Sequence, residues 1–172
     1  MNSLYLTFAL RLIHILAGIF WVGGVLMVAR FLIPTAQAIG PAAMPFQQHL
    51  MGAKKLPIAL LVAGWLTVLS GTTLYMRAGM SLGDLWYRSG PGKIFGVGGT
   101  LAIVAILIGT FFNVPTIRRI GAVGAQLQAS PGNAELQGQL QGLQKRLVRL
   151  SQLVAVLAAL AAACMAVARY WP

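Results

Sequence analysis

Four long apolar segments, separated by charged or Pro- and Gly-rich connections, constrain this chain more than any other feature. We predict membrane spans at about residues 11–30, 57–77, 93–114 and 148–169. Each is long enough, at about 1.5 Å per residue, to cross a hydrocarbon core about 30 Å thick. Membrane-spanning strands would instead give short segments of alternating hydropathy. Since a helix satisfies its backbone groups internally, the segments predict an all-α fold, a transmembrane four-helix bundle, in a single membrane domain over residues 1–172.

The balance of residue types supports a membrane protein and argues against a nucleic-acid-binding one. Hydrophobic residues make up 58% of the chain and charged residues only 9%, which is not the balance of a soluble domain. The net charge of +11 would by itself suit nucleic acid, but the cations flank the predicted spans. We therefore assign them to topology and to contact with the anionic lipids of the bilayer, and expect no nucleic-acid partner.

The basic residues divide unequally between the two sides of the predicted bundle. Eight of the thirteen fall on one side: Arg30, Lys54, Lys55, Arg118, Arg119, Lys145, Arg146 and Arg149. The other five are Arg11, Arg77, Arg88, Lys93 and Arg169. Because the more basic side faces the cytoplasm, we expect an up-down-up-down bundle in a bacterial inner membrane, with both termini outward. No Lys or Arg precedes the first span, so we expect it to be retained rather than cleaved as a signal peptide.

An amphipathic helix is predicted on the cytoplasmic side, over about residues 134–149 and continuous with the fourth span. Asn133 is its candidate N-cap. Leucines then recur at spacings of four and three, forming a leucine stripe of Leu136, Leu140, Leu143, Leu147 and Leu150. The stripe indicates either packing against the protein's own third connection or a docking face. A docking face would suit a non-catalytic accessory subunit of a membrane complex.

Small residues recur at spacings of four in the third and fourth spans. They are Gly92 and Gly96, and Ala155, Ala159 and Ala163. Such spacings let helix backbones approach closely. They support either a compact bundle within one chain or association between copies in a homo-oligomer.

One face of the first span carries the main candidates for a functional site. Residues at spacings of three, four and three share a helix face, and here they are Arg11, His14, Gly18 and Trp21. Arg11 and Arg30 bracket the uncharged stretch. His14 is therefore expected one turn, roughly 5 Å, below the outer interface.

The residue types on this face suit a b-type haem open toward the outer side. A neutral imidazole such as that of His14 can ligate haem iron, and Gly18 leaves flat space for a macrocycle. Arg11 can pair with a propionate, and Lys93 opens the third span at the depth of His14. Each residue also has a structural interpretation. The imidazole can form an interhelical hydrogen bond, and the arginine can extend to the lipid headgroups. Trp21 can pack in the core, and the lysine can serve as a topology anchor.

Few other residues offer chemistry. Met76 and Met80, four residues apart near the outer end of the second span, are candidate Cu(I) ligands or ordinary packing residues. His49 lies on the cytoplasmic side, at the opposite level from the other histidine, so a paired bis-histidine site is not expected. The only acids, Asp84 and Glu135, are in connections, so no span offers a carboxylate for a proton relay.

The chain resembles the CopD-like superfamily of small membrane bundles, which includes the HemJ-type protoporphyrinogen oxidases. The resemblance rests on "HILAGIFWVGGVLMVARFLIP", on Gly71 in the second span, on "GPGKIF" and on "IRRI". In HemJ-type proteins a first-span histidine and a lysine opening the third span are linked to a b-type haem and to activity, and His14 and Lys93 match these two places. The HemJ pattern has Asn-Glu-x-Pro where this chain reads "RLSQLVAVL", which argues against oxidase activity. Resemblance to CopD itself implies copper handling.

The sequence thus predicts a protein that binds one haem b near its outer face, through His14 with Lys93 as a candidate second ligand, in a redox or electron-transfer role. The alternatives are copper handling through Met76 and Met80, and the accessory-subunit role. The expected partners are the lipid bilayer and either a membrane redox partner or a second copy of the chain.

Overall fold

The computed structural model describes residues 2–171, and every regular element in that range is a helix, which confirms the predicted all-α fold class. The α-helices of the described range are, in chain order, α1 (Asn2–Met27), α2 (Ile33–Ile39), α3 (Met44–Gln48), α4 (Leu56–Leu82), α5 (Asp84–Arg88), α6 (Gly90–Ile108), α7 (Val114–Ala129) and α8 (Ala134–Val167). The π-helical segments are Val28–Leu32, His49–Ala53 and Gly109–Asn113. The 3₁₀ turns are Gly40–Ala43 and Ala168–Tyr170.

Four helical stretches in the described part of the chain are long and apolar enough to cross a membrane. They are Leu4–Ile39, Leu56–Leu82, Gly90–Ala129 and Ala134–Tyr170. The first and third run well beyond the predicted apolar segments, because the helix continues through a π-helical segment instead of ending at the membrane surface. The chain is therefore an integral membrane protein built as a four-helix bundle.

Local sequence signals set where the long helices begin. Pro57 lies in the first turn of α4, where its missing N–H leaves no intrahelical bond unmade. The Ser89 hydroxyl caps α6 by accepting a hydrogen bond from the Gly92 N–H at 3.0 Å. Asn133 caps α8, as predicted, by accepting from the Glu135 N–H at 3.0 Å. These starts fix which residues of each helix fall at each membrane level.

The main cluster of buried apolar residues includes Trp21 of α1. Its side chain is only 3% exposed. A Cβ added at Gly64 of α4 would lie 3.0 Å from the indole and 2.5 Å from Cδ1 of Ile106 in α6. Ala105 of α6 and Val154 of α8 belong to the same buried cluster. Trp21 is thus a core residue, held against a glycine that leaves room for its ring.

The long helices pair chiefly as α1 with α4 and α6 with α8. The second pair is close because of Gly98: a Cβ added there would lie 2.8 Å from Cys164 Cβ and 3.3 Å from the Ala161 carbonyl oxygen. Gly92 and Gly96, which the sequence offered for close helix packing, lie instead against the tryptophan of α5 and a tyrosine of α4. These two glycines therefore serve packing within the chain, and association between copies stays a prediction.

The predicted amphipathic helix is the first half of α8, which runs without a break from Ala134 to Val167. All five leucines of the leucine stripe are half-buried, and α8 packs against α7, the helix before it. Further along α8, Ala155 is buried and Ala163 is exposed. This arrangement favours packing of the stripe on the protein's own third connection over a docking face.

Gly98→Val tests the close approach of α6 and α8. The new side chain meets the Cys164 Cβ and the Ala161 carbonyl, so we expect the free energy of unfolding to fall by about 1–3 kcal/mol, as for other overpacked cores. Gly99→Val is the matched control, since a Cβ at Gly99 meets nothing within 4 Å and carries the same helix-propensity change. Apparent melting temperature in detergent measures both, and equal losses would contradict the packing described here.

Candidate functional site

A large cleft opens at the end of the bundle that carries the N-terminal part of α1, the C-terminal part of α4 and the start of α6. Its volume is about 1310 Å³, and residues of α1, α4, α5, α6 and α8 contribute to its lining. Small-molecule sites in proteins usually occupy about 300–1,000 Å³. The cleft, called here the outer cavity, therefore has room for a ligand as large as a macrocycle.

His14 lies in the wall of the outer cavity with its ring orientation fixed. Its Nδ1 is 2.8 Å from the backbone carbonyl oxygen of Thr67 in α4. Since a carbonyl only accepts, Nδ1 carries the proton and donates it. The other nitrogen, Nε2, has no hydrogen-bond partner among residues 2–171. In the neutral ring, the lone pair of Nε2 is available to a ligand. Metal-binding histidines are commonly oriented in this way, by a hydrogen bond from the other ring nitrogen.

The imidazole fits against α4 because position 71 is glycine. A Cβ added at Gly71 would lie 2.6 Å from Cε1 and 2.9 Å from Nδ1 of His14. Ser70 lies alongside, with its hydroxyl 3.5 Å from Nδ1 and donating to the carbonyls of Leu66 and Thr67 at 2.5 and 3.1 Å. A small polar patch in the middle of α4 thus receives the ring and leaves it little freedom to turn.

Three guanidinium groups from three helices surround the mouth of the outer cavity. Arg11 comes from α1, Arg77 from α4 and Arg169 from the 3₁₀ turn after α8. An Nη of Arg77 donates to the Thr7 hydroxyl at 3.2 Å, which holds that side chain against α1. No Asp or Glu belongs to the lining in the described residues. A cleft lined by charge of one sign focuses its field and attracts an ion of the other sign.

The walls of the outer cavity are aromatic and aliphatic. Tyr75 and Trp86 have ring centroids 5.7 Å apart, and Trp86 stacks on Phe95 at 6.1 Å with an interplanar angle of 25°. The Tyr75 hydroxyl donates to the Gly92 carbonyl at 3.2 Å, which ties this wall to the start of α6. Val68 and other aliphatic residues line the deeper part. The cavity is therefore amphipathic, with a cationic mouth and a largely apolar interior around His14.

The structure brings together two of the residues that the sequence singled out and separates the others from them. Arg11 and His14 both line the outer cavity. Gly18 lies one turn deeper, where a Cβ would be 3.5 Å from Thr67 Cγ2, and Trp21 is in the core. Lys93 is exposed in the first turn of α6 and lies outside the lining as residues 2–171 define it.

The remaining candidates are spread over the molecule. Met80 lines the outer cavity with its side chain 78% exposed, whereas Met76 is 57% exposed and outside the lining that the described residues form. His49 is exposed in the π-helical segment at the opposite end of the bundle. Among residues 2–171, no three His, Cys, Asp or Glu side chains are grouped so that they could hold a metal ion.

Sequence reasoning did not assign roles to several residues of the site. Thr67 and Ser70 received none, and Gly71 entered only through the family resemblance. Their signal is the string "TVLSG" in the second span, small and polar residues in a segment where such groups are costly. Arg77 and Arg169 were counted only as topology charges.

The fold and the cavity together define an integral membrane four-helix protein with an amphipathic cavity at one end of its bundle. Comparisons of the chain with protein-family models, with curated proteins and with solved structures find no match. The chemistry of the cavity's own residues is therefore the basis for proposing a function.

A double-mutant cycle tests whether Gly71 makes room for the imidazole. Gly71→Ala forces a Cβ into the ring, so we expect it to destabilise the purified protein by about 1–3 kcal/mol. In the His14→Ala background the space is vacant and most of that cost should vanish, giving a coupling of about 0.5–3 kcal/mol. Unfolding free energies in detergent provide the readout. Strictly additive losses would show that the two residues do not meet.

Proposed function

We propose that this protein binds one haem b in the outer cavity, with Nε2 of His14 as the axial ligand of the iron, and that it acts in electron transfer. A single observation carries the proposal. The Nδ1–H of His14 is committed to the Thr67 carbonyl at 2.8 Å, while Nε2 has no partner among the described residues and the ring lines a cavity of about 1310 Å³.

The shape and polarity of the outer cavity support a haem over a smaller ligand. A haem has a flat apolar macrocycle and two carboxylates on one edge. The cavity has apolar and aromatic walls around His14 and a guanidinium, that of Arg11, one helical turn further out. Arg11 would pair with a propionate, and residues of α1, α4 and α6 would surround the macrocycle.

The residues of the chain would control the haem by orientation and by exclusion of water. The bond from Nδ1–H to the Thr67 carbonyl fixes the tautomer and the orientation of the ring. The apolar wall that includes Val68 lowers the local polarity, which tunes a redox centre. When bound, a haem supplies reversible one-electron chemistry. Lys93, exposed outside the lining, has the role of a topology anchor in this proposal, with His14 as the ligand from the chain.

Resemblance to the CopD-like superfamily is in keeping with a haem in this position. Oxidase activity of the HemJ type is not part of the proposal, because residues 149–157 read "RLSQLVAVL" in place of the Asn-Glu-x-Pro motif. Electron transfer with a membrane partner needs only the haem site.

Copper handling is the second candidate, and one observation favours it. Met80 and Met165 line the same cavity as His14, and thioethers with imidazole are suitable soft ligands for Cu(I). Met76, outside the lining, is not needed for such a site. Haem remains the first choice because the volume of the cavity far exceeds what a single ion requires.

We further propose that the outer cavity faces away from the cytoplasm in a bacterial inner membrane, with both termini on the same side. The eight basic residues of the opposite side support this orientation through the positive-inside rule. His49 and the hairpin of α7 and α8 would then lie on the cytoplasmic side.

The absorption spectrum of the purified protein after haem supplementation tests the haem proposal. We expect a Soret band that is lost in His14→Ala, because the axial ligand is removed, and retained in His49→Ala. The chain has two histidines, so the second variant is a matched control. A colourless wild-type protein, or a band that survives in His14→Ala, would overturn the proposal. Bound copper in metal analysis of the colourless protein would favour the second candidate.

Cysteine labelling tests the proposed orientation. Tyr170→Cys and Gln139→Cys, each in a Cys164→Ala background, place single thiols at exposed positions near opposite ends of α8. We expect a membrane-impermeant maleimide to label Tyr170→Cys in intact cells and Gln139→Cys only after permeabilisation. The reverse pattern would place the outer cavity on the cytoplasmic side.

A further inference from the structure

We propose that Arg11, Arg77 and Arg169 together form a recognition site for two carboxylates, so that the outer cavity selects tetrapyrroles with free propionates and discriminates against neutral esters. The inference rests on the proposed function and deepens it by naming the chemical group that the cavity recognises. It adds two arginines, from α4 and from the end of α8, to the one that the haem proposal already uses.

The three arginines come from different parts of the fold. Arg11 lies one turn from His14 on α1, so the position of its backbone is tied to that of His14. Arg77 is anchored by its hydrogen bond to the Thr7 hydroxyl at 3.2 Å. Arg169 follows Ala168, which is completely buried, in a 3₁₀ turn that packs against α6. The three guanidinium groups thus come from three helical segments and line the same cavity.

The depth of these groups suits the edge of a macrocycle ligated at His14. Arg77 is six residues beyond Gly71 on α4, a rise of about 9 Å from the level of the imidazole toward the mouth. Propionate side chains extend from one edge of the porphyrin, away from the iron. A macrocycle held at His14 with its propionates toward the mouth would bring the carboxylates to the level of Arg77.

The positive charge of the lining favours an anionic ligand. The lining holds three guanidinium groups, and the only acids of the chain, Asp84 and Glu135, are not part of it among the described residues. Arginine forms bidentate pairs with carboxylates, which adds geometric selection to the charge. Two propionates would give these arginines carboxylate partners of the kind they bind best.

The binding of haem b and of its dimethyl ester to the wild-type protein tests the inference. Both compounds contain the same iron and macrocycle, so His14 treats them alike. In neutral phosphatidylcholine nanodiscs we expect the ester to bind about 10- to 100-fold more weakly, since each well-formed charge-assisted pair contributes up to roughly tenfold and exposed pairs less. Absorbance titration of the Soret band gives both dissociation constants.

Arginine variants test whether the difference in affinity between haem b and its ester depends on the arginines of the outer cavity. The Arg77→Gln/Arg169→Gln double variant should lose affinity for haem b, keep its affinity for the ester, and so bring the ratio of the two dissociation constants toward one. Arg169→Gln alone, which leaves the Arg77 contact with Thr7 intact, should give an intermediate ratio. Arg88→Gln is the control, because Arg88 is exposed at the end of α5 and outside the lining of the described residues.

The outcomes separate this inference from the haem proposal. If haem b and its ester bind equally, both through a His14-dependent Soret band, the haem site stands and the carboxylate recognition is wrong. If the double variant binds haem b as tightly as the wild type in phosphatidylcholine but loses affinity when phosphatidylglycerol is added, the arginines serve lipid phosphates and the inference is overturned. If neither compound binds, both proposals fail.

Discussion

The hydrogen bond between His14 Nδ1 and the Thr67 carbonyl joins α1 to α4 and decides what the outer cavity presents to a ligand. Interhelical hydrogen bonds in membrane proteins contribute only about 0.6 kcal/mol on average, so this bond is not what holds the bundle together. Its effect is orientation: one ring nitrogen is occupied, and the other has no hydrogen-bond partner among the described residues. Gly71 is what allows it, since any larger residue would occupy the place of the ring.

Packing elsewhere in the bundle explains why a cavity exists at one end. Around Trp21 the helices approach closely, with Gly64 and Ile106 against the indole. Gly98 does the same for α6 and α8. At the end of the bundle that holds the cavity, Tyr75 and neighbouring aromatic residues hold the start of α6 and line an open space instead of filling it. The rigid middle thus positions His14, and the wider end supplies room beside it.

The sequence predicted the positions of the helices along the chain better than it predicted the contacts between them. Apolar length defined the four spans. Helical periodicity predicted Arg11 and His14 on one face, and both line the outer cavity. Depth alone also suggested Lys93 as a partner, but residues at one membrane level can lie on different sides of a bundle, and Lys93 is exposed outside the cavity lining of the described chain. Thr67 and Arg169 were not predictable as neighbours of this site, because the rotation of each helix about its axis depends on tertiary packing.

The central claim is that Nε2 of His14 meets the iron of a haem in the outer cavity. An experimental structure of the haem-loaded protein, with an anomalous difference map collected at the iron edge, tests it most directly. The account predicts one iron peak at bonding distance from Nε2 of His14, with Nδ1 still on the Thr67 carbonyl. An iron peak at His49 or away from both histidines, or a cavity that holds no iron, would contradict it.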